Sequence, residues 1–224
     1  MTELNCRWIP HQLTEGLRQI RVETARKMLD FLENASDYDL NNLYTEDETW
    51  IYFDNPHKSM WISDSDPPMP FVRPKMASKK VMIAVFWSRN GIVSIIPRGR
   101  GQVFDRNLFL HNVIGDLSRV RSLRRKILHF DNARPHLVND ELKQLGVTRL
   151  DRPPYSPDLA SNGFFLFGYL KRELEGMMFQ TEEEVLEKVK SVILSIPKDV
   201  FRKVYDEWIL KLKACIESNE DYLR

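Results

Sequence analysis

The chain has 224 residues, 42% of them hydrophobic, enough to bury a substantial core and to argue for one main domain. Its 33 Lys and Arg nearly cancel its 32 Asp and Glu, leaving a formal net charge of +1, so any nucleic-acid surface has to come from local clustering of cations. Cys6 and Cys215 form neither a disulfide framework nor a metal-ligand spacing, and no apolar run approaches the roughly 20 residues that cross a bilayer, so the expectation is a soluble protein of a reducing, intracellular compartment with no signal peptide and no membrane partner.

Thr14 is placed to cap a helix running to about Glu33, with Val22, Ala25, Leu29 and Leu32 on one apolar stripe. The aromatic and β-branched run from Leu43 to Asp54 reads as a strand. It carries Glu46, Asp47 and Glu48, and period-two alternation sends the two glutamates to the face opposite Asp47, which argues against them as partners in any site Asp47 builds. After the turn at Asp54-Asn-Pro56 comes a proline-rich crossing with a short strand near Met60 to Ile62. The almost wholly apolar Lys80 to Trp87 follows, as expected of a strand covered on both faces. Arg89-Asn-Gly91 then turns into Ile92 to Ile96, an antiparallel hairpin.

Pro97-Arg-Gly-Arg-Gly-Gln102 is a basic loop in which Arg98 and Arg100 suit phosphate oxygens, although a plain solvated turn explains it too. A helix is predicted from about Asp105 to Leu123, with Leu108, Val113 and Leu117 facing the core. The cations at its end include Arg124, Arg125 and Lys126; they can line a DNA path or simply complement the helix dipole, and both readings stand. Ile127, Leu128 and Phe130 make a short buried strand that delivers Asp131 at its exit, before Pro135 forces a turn. Ligands of open α/β sheets sit at the carboxyl ends of strands, which places Asp131 for chemistry rather than packing. His129 and His136 flank it, in positions that favour hydrogen bonding over a metal pair.

A helix from Val138 to Leu145 stops at Gly146, and Val147 to Leu150 forms the last strand. The stiff loop Arg152-Pro-Pro-Tyr-Ser-Pro-Asp-Leu159 leads into a helix from Phe164 to Leu174. Thr181 and Glu184 form a capping box on a helix carrying Val185, Val189, Val192 and Ile196 and ended by Pro197. A final helix uses Phe201, Val204, Trp208, Leu212 and Cys215.

Asp131-Asn-Ala-Arg-Pro-His136, then Pro153-Pro-Tyr-Ser-Pro-Asp-Leu-Ala160, then Phe164-Phe-Leu-Phe-Gly-Tyr-Leu-Lys171, resemble in their order the catalytic domain of mariner-type transposases, and the resemblance extends over almost the whole chain. It implies an α/β, RNase H-like fold: a mixed five-stranded sheet flanked by helices, with an N-terminal linker helix and C-terminal helices. Residues 1–36 are then linker and first helix, and residues 37–224 the catalytic domain. Asp47 takes the place of the family's first acid and Asp131 the second, both ligands of a two-metal site whose hard oxygen donors favour Mg2+ or Mn2+. Residues 7 to 14, with Trp8, Pro10 and His11, are similar to the family's dimer-clasping linker, though a hydrophobic lead-in packed on its own helix is the alternative. The DNA-reading helix-turn-helix modules of the family would precede that linker, and only six residues do, so end recognition is expected to be missing. The expected partners are DNA and a second copy of the chain, with no small-molecule substrate. The expected location is nuclear in a eukaryote and otherwise intracellular.

One position departs from the family. The slot four residues after Leu159, where the resemblance puts a third catalytic acid, is Gly163, and the match resumes immediately after it. Glycine offers a metal nothing, so the second ion is expected to be lost or poorly held and strand transfer weakened. Asn162, through an amide oxygen, and Asp158, through a carboxylate, are the nearby substitutes, Asp158 being part of the family's own loop. The expectation is therefore a transposase core for DNA cleavage and transfer with impaired catalysis. The alternative is a domesticated, inactive module that binds DNA and dimerises.

Overall fold

The computed structural model describes residues 11–57, 78–98, 106–120, 122–133, 138–218 and 222. Chain order begins with α1 (Glu15–Asn34), α2 (Asp37–Asn42) and three strands, β1 (Leu43–Tyr52), β2 (Lys80–Ser88) and β3 (Gly91–Arg98). A helical stretch follows: α3 (Arg106–Leu108), a π-helical segment (Phe109–Ile114) and α4 (Gly115–Val120). Then come β4 (Ile127–Phe130), α5 (Asn139–Gln144), β5 (Thr148–Asp151), a 3-10 turn (Pro157–Leu159), a second π-helical segment (Asn162–Leu166), α6 (Phe167–Glu173), α7 (Glu182–Leu194) and α8 (Lys198–Glu217).

The strands form one mixed sheet in the order β3-β2-β1-β4-β5. β1, β2 and β3 pair antiparallel, as the apolar run and its Asn90-Gly91 turn lead one to expect, with Gly91 at φ 114°. β4 lies parallel to β1 on one side and to β5 on the other, joined to β5 through α5 and Gly146 at φ 69°. This is the RNase H-like mixed sheet flanked by helices that the family resemblance implies.

Each face of the sheet has its own core. Leu43, Ile51, Val81, Ile83, Val85 and Trp87 meet α1, α6, α7 and α8 on one side. Tyr44, Ala84, Phe86, Leu128 and Phe130 meet Phe109, Val113, Leu117 and Leu142 on the other. Strand alternation thus divides β1 by parity, and Asp47 falls on the face covered by α1 and the C-terminal helices. The predicted caps form as drawn: Thr14 Oγ1 accepts from the Leu17 amide, Thr181 Oγ1 from Glu184, and the Glu184 carboxylate accepts in return from the Gln180 amide.

Three details differ from the sequence expectation. The first strand ends at Tyr52 rather than Asp54, because Asp54 leaves the ladder to make an isolated bridge with Met178. The helix expected over 105–123 is described from Arg106 to Val120 and is π-helical in its middle. The short α2, capped by Ser36 on the Asp39 amide, has no apolar periodicity to announce it. The strand expected near Met60 to Ile62, and the side chain of Leu108, lie outside the described residues.

Candidate active site

Backbone register brings the two candidate acids together. Thr45 on β1 lies opposite His129 on β4, so two residues further along these parallel strands Asp47 comes level with Asp131, just past the end of β4. Asp131 turns back on its own loop, its Oδ1 accepting from the Ala133 amide at 2.9 Å, an arrangement that fixes the carboxylate at the strand exit. Asp47 Oδ1 accepts from the Glu48 amide at 3.0 Å.

The second oxygen of Asp47 meets a residue to which the sequence assigned no role. Arg152 Nη1 donates to Asp47 Oδ2 at 2.9 Å, a contact spanning 105 positions in the chain. Phe130 pairs with Asp151 at the end of β5, so Arg152 follows level with Asp131, and its guanidinium reaches past the β4 strand to Asp47. The Asn132 side-chain amide donates to the Arg152 carbonyl at 2.6 Å and holds that strand end in place. Burial outweighs the attraction of Arg152, and the charges of Glu48 and Asp131 add to it, so the Asp47 carboxyl is pushed up to about 6. A carboxylate held this way gains from any cation placed against it.

His129 supports the floor of the site without facing it as a ligand. It is buried; its Nδ1 donates to the Leu150 carbonyl at 3.0 Å, and its ring meets Trp208 edge-on at 4.9 Å. Burial foremost, with Arg152 adding to it, pushes the imidazole down to about 3, so it stays neutral across the physiological range. His136 lies outside the described residues.

The third corner is built from backbone. Ser161 Oγ donates to Thr45 Oγ1 at 3.5 Å, bringing the start of the second π-helical segment against β1. Gly163 N donates to the Ala160 carbonyl at 2.8 Å, and a Cβ at Gly163 would stand 2.8 Å from the Pro157 carbonyl oxygen, closer than side chains approach backbone. The two nearby substitutes are both engaged in other contacts. Asn162 is buried and its amide oxygen accepts from Trp87 Nε1. Asp158 takes a bidentate contact from Arg21, at 2.9 and 2.6 Å, that ties α1 to the proline loop. Among the described residues no group of three or more His, Cys, Asp or Glu side chains is arranged to hold a metal ion. The donor set of Asp47 and Asp131 fits one hard divalent ion once Arg152 has turned aside; the corner at Gly163 offers no carboxylate to a second.

The basic residues scatter. Arg98 differs from the expected surface role: it is buried on the opposite face of the sheet, its guanidinium 3.6 Å from Glu48, because β3 carries it inward beside Ala84 and Ile96. Arg124 and Arg125 are exposed, Arg125 at a positive φ of 62°. Lys126 donates to Asn42 Oδ1 and lies 5.1 Å from the Tyr44 ring centre, so packing accounts for it. Arg100, Trp8 and Pro10 lie outside the described residues. His11 stacks on Tyr155 of the proline loop at 4.2 Å, and Tyr222 donates to the carbonyl of either His11 (3.0 Å) or Tyr155 (2.9 Å), joining the N-terminal segment, the loop and the C-terminal segment.

Known proteins share this fold. The family model "Transposase (partial DDE domain)" matches residues 51–95. The human histone-lysine N-methyltransferase SETMAR is 28% identical over 96% of this chain and 33% of its own length. The Mariner Mos1 transposase of Drosophila mauritiana is 27% identical over 97% of this chain and 66% of its own. The chain therefore spans about a third of one curated relative and just under two thirds of the other. The Mos1 transposase paired-end complex with left transposon end superposes with a TM-score of 0.87 at 26% identity, covering 100% of this chain and 68% of that one, and Mos1 paired-end complexes have been solved with Mg and with Mn. In both sequence and fold, along nearly its whole length, this chain is similar to a mariner-type transposase catalytic domain.

Proposed function

We propose that this domain is a DNA-transposition core in which Asp47 and Asp131 hold a single divalent ion, Mg2+ or Mn2+, and in which strand cleavage and transfer are impaired for want of a third acid. The observation that carries this reading is the Gly163 corner, where the Pro157 carbonyl stands 2.8 Å from the place of a Cβ and the nearest polar side chains, Asn162 and Asp158, are engaged by Trp87 and Arg21. Bound between the two aspartates, a divalent ion supplies Lewis acidity and neutralises charge on a phosphodiester. The protein's own part is to fix the two carboxylates on adjacent strands, Asp47 midway along β1 and Asp131 just past β4, to keep His129 neutral beneath them, and to offer the exposed Arg124 and Arg125, at the entry end of β4, to DNA phosphates away from the two acids. The linker about His11 serves a homodimer, and a DNA-acting domain of this kind works in the nucleus of a eukaryotic host.

The second reading, a domesticated module that binds DNA and dimerises without cutting it, is favoured by one contact: Arg152 bonds Asp47 Oδ2 at 2.9 Å, on the carboxylate an ion would need. Nicking of supercoiled plasmid in Mn2+, read beside plasmid binding, tests both readings. The expected outcome is plasmid binding that weakens with salt and nicking at background. Robust nicking abolished by Asp131→Ala overturns the impaired reading, and absence of any DNA binding overturns both.

A further inference from the structure

Arg152 is packed as few arginines are. Its side chain is 7% exposed, one nitrogen bonds Asp47, and Nε and Nη2, equally buried, have no hydrogen-bond partner. Arg21, the other deeply buried arginine on this face, uses two nitrogens on a carboxylate and stacks over Tyr222 at 5.3 Å. A buried guanidinium with most of its donors unmet is costly, so structure alone is a poor account of its presence. Its one bond falls on an acid from which a divalent ion would have to displace it.

We infer that Arg152 is the competitor that sets the cation affinity of this site: it occupies Asp47 as an internal positive charge, and a divalent ion binds between Asp47 and Asp131 only by displacing it. This rests on the reading of those two aspartates as a cation site. A guanidinium already bonded to Asp47 Oδ2 competes with the ion for that carboxylate, and the like charges repel, so holding Arg152 in place raises the ion concentration the site needs. The unmet Nε and Nη2 are the donors a displaced Arg152 would turn towards a DNA phosphate, which would couple cation loading to substrate.

The test is Mn2+ affinity of the whole chain, read from the free-ion electron paramagnetic resonance signal, with folding checked by circular dichroism. Arg152→Met is expected to bind about tenfold tighter, the factor worth about 1.4 kcal/mol. Arg152→Gln carries the same test should the methionine variant not fold. Adding Asp131→Asn to either is expected to remove the gain. Arg149→Met, which removes a cation that meets Asp131 at its main-chain carbonyl, at 3.2 Å, and otherwise bonds Asn132, Asn139 and Asp151, is expected to gain much less. Unchanged or weaker binding in the Arg152 variants, or an equal gain in Arg149→Met, overturns the inference while leaving an Asp131-dependent site intact. Mn2+ binding that is independent of Asp131 in every variant sinks the cation site itself, and the inference with it.

Discussion

Asp158→Ala is expected to destabilise the domain by about 3–5 kcal/mol, the usual cost of stranding one partner of a buried ion pair. Arg21 is fully buried on α1, donates to both oxygens of Asp158, and lies against Tyr222. Burial opposes the guanidinium charge, and the hydrogen bonds and charge of Asp158 more than offset it, leaving the Arg21 pKa raised. Without the carboxylate the guanidinium stays buried and loses the two bonds that offset its burial. The damage also reaches further than the pair, because Asp158 lies in the loop whose Pro157 carbonyl abuts Gly163 and whose Tyr155 meets His11. Urea unfolding measures the loss, and the double replacement Arg21→Met with Asp158→Leu is expected to recover much of it. A loss below about 1 kcal/mol for Asp158→Ala would mean that the ion pair adds no more than an exposed one.

Gly163→Asp is expected to fail as a repair. The residue type is the one the family resemblance calls for, yet its Cβ would meet the Pro157 oxygen at 2.8 Å, and both sides of that contact are main chain. The 3-10 turn at Pro157–Leu159, stapled by Trp208 Nε1 on the Leu159 carbonyl at 2.8 Å, would have to give way. The expected cost is about 1–3 kcal/mol, the range for forcing atoms into a packed interior, with Gly163→Ala paying nearly the same. For a chain of this length each 1 kcal/mol lowers the melting temperature by about 2–4 °C. Plasmid nicking in Mn2+ is expected to stay at background in the aspartate variant. A variant that melts like the parent and gains nicking would show that the corner can open and that the missing carboxylate is the whole defect.

Much of the fold could be read from the residues because it follows local rules. The apolar run of β2, the Asn-Gly turn after it, the Thr14 and Thr181 caps and the helix stop at Gly146 each state their geometry within a few positions. Asp131 is legible as a strand exit; Asp47 is singled out by the family resemblance, and alternation along β1 sends Glu46 and Glu48 to the other face. The same logic misses Arg152 and Arg21. Arg152 opens a proline loop where no periodicity exists, and its partner is 105 residues away, so only the sheet order brings them together. Arg21 lies on the apolar stripe of α1 with Ala25, Met28 and Leu32, a place where arginine reads as a flaw in the pattern until Asp158 appears beside it. Arg98 is hidden from the sequence for the opposite reason: it neighbours glycines and another arginine there, while β3 pairing turns it inward towards Glu48. The π-helical turn at Asn162–Leu166 has no residue signature of its own, and it sets the backbone of Gly163 against Pro157.

Anomalous scattering from manganese in crystals of this domain soaked with Mn2+ is the most direct test of a one-ion site. A single peak between Asp47 and Asp131, with Arg152 turned away from Asp47 and nothing beside Gly163, is the predicted result. A second peak at the Gly163 corner, or manganese bound away from both aspartates, would contradict it.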